Sequence, residues 1–121
     1  MKPKHILILD DEREICFLLT ALLTQMGYET ECAHNLDDGI YKLSNSAPFD
    51  LVFLDLNLPD GLGYHIVPNI KEQNREAKVV MISAHDSMLK KIKSETDEVD
   101  EFLTKPFSRE NITHILQELD M

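Results

Sequence analysis

The sequence predicts an α/β domain: a doubly wound, five-stranded parallel sheet in which each strand is followed by a helix, (βα)5. Three observations predict it. Short apolar runs alternate with helix-period segments along the whole chain. The runs are apolar residue after residue, as in strands covered on both faces. The links between them are short, with no linker, repeat or low-complexity stretch, so the 121 residues read as one domain, 1–121.

The elements follow in order. His5-Ile6-Leu7-Ile8-Leu9 is a buried strand running into Asp10-Asp11-Glu12. A strong helix follows, with Ile15, Leu18, Leu19, Leu22 and Met26 at helical spacing and Gly27 as its stop. Tyr28 to Ala33 alternates loosely and reads as a strand nearer an edge. Asn35 is placed to cap a helix carrying Leu36, Ile40 and Leu43. Gly39 inside that helix costs it ~1 kcal/mol against Ala. Leu51-Val52-Phe53-Leu54-Asp55 is the central strand, stopped by Pro59, Asp60 and Gly61. A helix through Ile66, Ile70 and Lys71 follows, with Pro68 near its start, where a missing N–H costs least. Lys78 to Ser83 is the fourth strand. Ala84 to Ser87 opens a weaker helix whose apolar face is Met88, Leu89 and Ile92. Ser94 to Glu101 is acid-rich and poorly patterned. Phe102-Leu103-Thr104 is a short fifth strand ending at Lys105-Pro106. Ser108 caps a last helix with Ile112, Ile115, Leu116 and Leu119 at helical spacing.

Right-handed crossovers make every strand point the same way. Asp10-Asp11, Asp55, Ser83 and Lys105 then converge on one edge of the sheet. In the flavodoxin-like order 2-1-3-4-5 their four strands are neighbours, at the position where open α/β sheets bind ligands. Three carboxylates placed together repel one another unless a cation joins them. Hard oxygen ligands suit Mg²⁺, which pairs with phosphate. A lysine and a small hydroxyl complete a cradle for phosphoryl oxygens. Asp55 is then the nucleophile of aspartyl-phosphate chemistry. Each residue alone has a bland reading: a solvated acid, a helix N-terminus, a cap, a surface lysine. All of them on one edge is the less ordinary coincidence.

Composition narrows the classes. Apolar residues make up 43% of the chain, and no run approaches the ~18 residues of a membrane span. Met1-Lys2-Pro3-Lys4-His5 leads into only a short apolar run, which is no signal peptide. The net charge of −10 argues against direct nucleic-acid binding and is compatible with a cation site. Cys16 and Cys32 read as reduced core thiols of a cytoplasmic protein, with a disulfide or metal pair the lesser alternative.

These residues carry a resemblance. From Ile6 to Leu119 the chain resembles the receiver domain of two-component response regulators. The motifs are Asp10-Asp11, the Asp-Leu-Asn-Leu-Pro of residues 55–59, Gly63, Ser83-Ala84, and Phe102 before Lys105-Pro106-Phe107. The resemblance implies that Asp55 accepts a phosphoryl group from a sensor histidine kinase or phosphotransfer protein. It implies Mg²⁺ held by Asp11, Asp55 and the Asn57 carbonyl, with Asp10 acting through water. Ser83 and Lys105 contact the phosphoryl oxygens, and Phe102 moves with Ser83. The Lys105–Pro106 bond is expected cis by resemblance, although trans is the default from residues alone. The switch alters the surface of the fourth helix, fifth strand and fifth helix, read by an output protein or domain, with homodimerisation a further option. The rearranging loop is expected at Ala84 to Met88. Beyond its own phosphotransfer and slow dephosphorylation, no enzyme activity is expected.

The chain departs from the pattern at Gly39, often Ala in the family, and at Asp97 to Glu101, where small residues are usual. The fourth helix is therefore expected short or mobile. A haloacid-dehalogenase-type phosphohydrolase is the competing enzyme class. It needs an acid two residues after the nucleophile, where this chain has Asn57. A binding module without phosphorylation would lack one of the key residues, and none is missing. His85 overhangs the same pocket and is either an exposed loop residue or a group that tunes the phosphoryl lifetime. The chain ends at the fifth helix, which fits a complete single-domain regulator or the receiver part of a longer protein.

Overall fold

The computed structural model describes residues 4–121. Residues 1–3 of the N-terminal segment lie outside that range. Counting only strands of the main sheet, the elements are β1 (His5–Leu9), α1 (Arg13–Gln25), β2 (Glu29–Ala33), α2 (Leu36–Asn45) and β3 (Leu51–Asp55). Then come α3 (Val67–Gln73), β4 (Lys78–Ser83), α4 (Asp86–Glu95), β5 (Glu101–Thr104) and α5 (Arg109–Glu118). All pairings are parallel, in the expected order β2-β1-β3-β4-β5.

Alternate residues of each central strand feed two separate cores, as period-two side-chain geometry requires. Ile6, Ile8, Leu51, Phe53, Val80, Ile82 and Leu103 meet α1 and α5. Leu7, Leu9, Val52, Leu54, Val79 and Met81 meet α2, α3 and α4. Every residue of β3 is buried.

The caps stand where expected. Asn35 Oδ1 accepts from the Asp38 N–H at 2.7 Å, and Ser108 forms a reciprocal capping box with Asn111. Gly27 has φ +95°, the left-handed stop that glycine adopts freely.

Several expectations are corrected. The buried stripe of α1 is Cys16, Leu19, Leu22 and Leu23, whereas Leu18 and Met26 are exposed. Almost every residue from Ile15 to Leu23 is apolar, so spacing alone could not choose the face; the sheet did. In α2, Gly39 is buried and Ile40 is exposed. A Cβ on Gly39 would stand 3.0 Å from both the Leu9 and Ile66 side chains, so the glycine permits close packing of helix on sheet. Asn57–Leu58 and Gly61–Leu62 form a short antiparallel hairpin, and Ile66 ends a 3-10 turn that precedes α3. The fourth helix is not short: it spans 10 residues. It already includes Asp86 to Met88, so the loop after β4 is only Ala84 and His85. The acid-rich segment is anchored to the sheet at its end. Asp100 accepts from the Val79 N–H through Oδ2 at 2.8 Å and donates its own N–H to the Val79 carbonyl at 2.8 Å. It thereby leads the chain into β5.

Candidate functional site

The pleat decides which side chains meet. Asp10 stands two residues beyond Ile8, Asp55 two beyond Phe53, and Lys105 two beyond Leu103. All three predecessors face α1 and α5. Carried past the strand ends, the same alternation aims both acids and the lysine to one side. Ser83 continues the other set, after Val79 and Met81.

The result is a compact charged cluster. Asp10, Asp11 and Asp55 each present a carboxylate oxygen within 4.8 Å of the others. Asp10 and Asp55 are only 1% and 4% exposed, while Asp11 is open to solvent. Lys105 Nζ lies 3.0 Å from Asp10 Oδ2, 3.4 Å from Asp55 Oδ2 and 3.5 Å from Glu12 Oε2. Asp10 Oδ1 accepts from the Glu12 N–H at 2.8 Å, and Asp55 Oδ1 from the Asn57 N–H at 3.2 Å. Asp10 Oδ2 is fully buried; charge-paired with Lys105, it still accepts no well-directed hydrogen bond.

The electrostatics follow from crowding and burial. Desolvation first, then the Asp10 anion, push the Asp55 carboxyl up to about 7. The Asn57 N–H and Lys105 pull the other way without cancelling them. Burial alone would lower the Lys105 ammonium, but Asp10, Asp55 and Glu12 outweigh it and hold the group above the usual lysine value. One lysine among four acids leaves surplus negative charge. That surplus, the under-bonded Asp10 Oδ2 and the all-oxygen donor set fit a hard divalent cation such as Mg²⁺.

The remaining predicted residues frame this cluster. Ser83 is fully buried, and its Oγ accepts from the His85 N–H at 3.0 Å and meets Asn57 Nδ2 at 3.5 Å. The Ser83 carbonyl accepts the Lys105 N–H at 2.9 Å, which ties the β4 and β5 ends together. The Lys105–Pro106 bond is cis, as the resemblance implied. Phe102 is half-buried, opposite Met81 in the β4–β5 register and on the Ser83 side of the sheet. His85 is exposed and ends the loop before α4. Gly63 lies against the Asp55 backbone: its N–H donates to the Leu56 carbonyl at 2.7 Å, and a Cβ there would collide with the Asp55 carbonyl oxygen.

Two contributors were not read from the sequence. Glu12 follows the acidic pair directly, but its approach to Lys105 depends on how α1 leaves the sheet. His34 Nδ1 lies 2.9 Å from the Asp10 carbonyl oxygen, behind the site, at the end of β2. Its place after an edge strand next to β1 was the only available signal.

Comparison with known families decides the membership. The family model for the response regulator receiver domain matches residues 6–117. The chain belongs to the response regulator receiver family. The transcriptional regulatory protein TrcR of Mycobacterium tuberculosis is 31% identical over 117 residues, covering 97% of this chain and 45% of TrcR. The chain thus spans less than half the length of that relative. A CheY-like receiver domain protein from Methanospirillum hungatei superposes with a TM-score of 0.85 at 28% identity, covering 98% of this chain and 94% of the other. TrrA of Thermotoga maritima, solved in complex with Mg²⁺ and BeF, gives a TM-score of 0.81 at 28% identity and covers 96% of this chain and 98% of its own. Receiver domains are signalling switches of two-component systems and not conventional enzymes. Among the described residues of this receiver, no helix is long and apolar enough to cross a membrane.

Proposed function

We propose that this receiver, as one domain over residues 1–121, is a cytoplasmic phosphorylation switch with Asp55 as the acceptor. The observation that carries the reading is the buried Asp55 carboxylate, held between Asp10 and Lys105 at the C-terminal edge of the sheet. A buried acid so placed is costly to the fold and suits a nucleophile. The donor is a histidine kinase or phosphotransfer protein. An Asp55 oxygen forms the new P–O bond as the P–N bond to the donor imidazole breaks. Asp10, Asp11, Asp55 and the Asn57 carbonyl would hold Mg²⁺, which when bound neutralises charge between nucleophile and phosphoryl oxygens. Lys105 already lies 3.4 Å from Asp55 and supplies a fixed positive charge for a phosphoryl oxygen. Ser83 offers its hydroxyl from the opposite side.

The added charge, up to about −2, draws Ser83 toward the new oxygens. Its hydrogen bond from His85 then rearranges, and Phe102 turns into the space behind it. The α4–β5–α5 face is the surface that changes, read by an output protein or domain or by a second copy of this chain. Domain activity beyond self-phosphorylation and slow self-dephosphorylation is not part of this reading. Acetyl phosphate with Mg²⁺ provides the test. Intact-mass measurement should show one acid-labile phosphoryl group on the wild type and none on Asp55→Asn, and EDTA should abolish it. Full labelling of Asp55→Asn would place the acceptor elsewhere.

A further inference from the structure

A second reactive cluster lies behind the acidic site, between α1 and the edge strand β2. Cys16 is buried on α1, and Cys32, on β2, is half-buried and packs into the same core. Cys32 is in register with Ile8, and the Cys16 sulfur lies 3.9 Å from the Ile8 carbonyl oxygen. Thr20, one turn after Cys16, meets Cys32 Sγ at 3.5 Å through its Oγ1. Cys16 and Thr20, one turn apart on α1, therefore lie over the Ile8–Cys32 pair of the sheet, in one shared core. His34 Nδ1 is 3.9 Å from the Cys16 sulfur. Both cysteines are free thiols here.

We propose that Cys16 and Cys32 form a reversible disulfide by exchange with a low-molecular-weight disulfide. Cys32, on the edge strand and the more accessible of the two, attacks first. Its sulfur bonds to one sulfur of the incoming disulfide, and the other leaves as a thiol carrying the Cys32 proton. Cys16 then attacks the Cys32 sulfur and displaces the second thiol, which takes the Cys16 proton. Two protein thiols are oxidised and one small disulfide is reduced to two thiols.

The link joins α1 to the sheet directly behind the acidic pair. The Asp10 carbonyl oxygen receives the Cys16 thiol at 3.8 Å and has His34 Nδ1 at 2.9 Å. Oxidation removes the first of these contacts and leaves His34 alone on that oxygen. Disulfides of intracellular proteins are mostly transient and redox-sensing, in keeping with a partly accessible pair of this kind.

The test uses the full chain and oxidised glutathione as the probe. Intact mass should fall by two hydrogens, and peptide mapping should recover Cys16 joined to Cys32. Closing a loop of about 15 residues should raise Tm by about 10 °C, reversibly with dithiothreitol. Cys16→Ser should stop at a stable glutathione adduct on Cys32, and Cys32→Ser should leave Cys16 unmodified. A wild type that also stops at the Cys32 adduct, links only between molecules, or retains two alkylatable thiols would overturn the proposal.

Discussion

Replacing Asp55 by Asn should stabilise the metal-free protein while removing the proposed phosphoryl acceptor. The Asp55 carboxyl is raised from 3.8 to about 7, by burial first and the Asp10 charge second. At about 1.4 kcal/mol per pH unit, the ionised carboxylate costs the fold up to about 4 kcal/mol above pH 7. Asn keeps an acceptor for the Asn57 N–H, now made to Oδ1 at 3.2 Å. Lys105 loses one partner but retains Asp10 at 3.0 Å and Glu12 at 3.5 Å. Those losses offset part of the gain, leaving a net stabilisation of about 1–3 kcal/mol. The sign follows from linkage. Below the unfolded carboxyl range Asp55 is protonated in both states and costs nothing. As pH rises toward 7 the unfolded chain ionises while the folded one still holds its proton, so stability drains away. Urea denaturation in EDTA at several pH values between 4 and 8 measures this. The advantage of Asp55→Asn should be near zero at pH 4, grow with pH and level off above 7. A variant less stable than wild type at pH 7.5, or an advantage independent of pH, would refute the account of a repelled, desolvated carboxylate.

The same charge surplus predicts that millimolar Mg²⁺ raises wild-type Tm, by mass action on the folded state alone. The shift should shrink in Asp11→Ala and Asp55→Asn, and equal shifts in all three proteins would remove these acids as ligands. Gly63→Ala should cost at least ~3 kcal/mol or prevent folding, because the new methyl meets the Asp55 carbonyl oxygen and not a yielding side chain; a wild-type urea midpoint would contradict that contact. Gly39→Ala should change stability by less than ~1 kcal/mol, since its helix-propensity gain is spent moving the Leu9 and Ile66 side-chain ends. His85→Ala should alter the phosphoryl-aspartate decay rate across pH 6–8 if the imidazole screens or orients water, and superimposable decay profiles would leave His85 as a loop residue whose N–H holds Ser83.

The sequence by itself determined the strands, their common direction and the convergence of Asp10, Asp11, Asp55, Ser83 and Lys105. Those follow from contiguous apolar runs and right-handed crossovers, which act locally or through chain topology. Asn35 and Ser108 were legible as caps for the same reason: a cap serves the backbone within a few residues of itself. The period-two parity that aims Asp10, Asp55 and Lys105 to one side was also written in the chain. Only the tertiary structure decided which face of α1 is buried, because Ile15 to Leu23 is apolar nearly all round and packing against the sheet chooses among equivalent stripes. Only the structure turned Gly39 from a weakness of α2 into the point where helix and sheet touch. The approach of Glu12 to Lys105, of His34 to the Asp10 carbonyl and of Thr20 to Cys32 likewise appears only on folding. Each joins residues far apart in the chain through the packing of a helix or an edge strand. No local pattern encodes such contacts, since they depend on how two elements settle against a third.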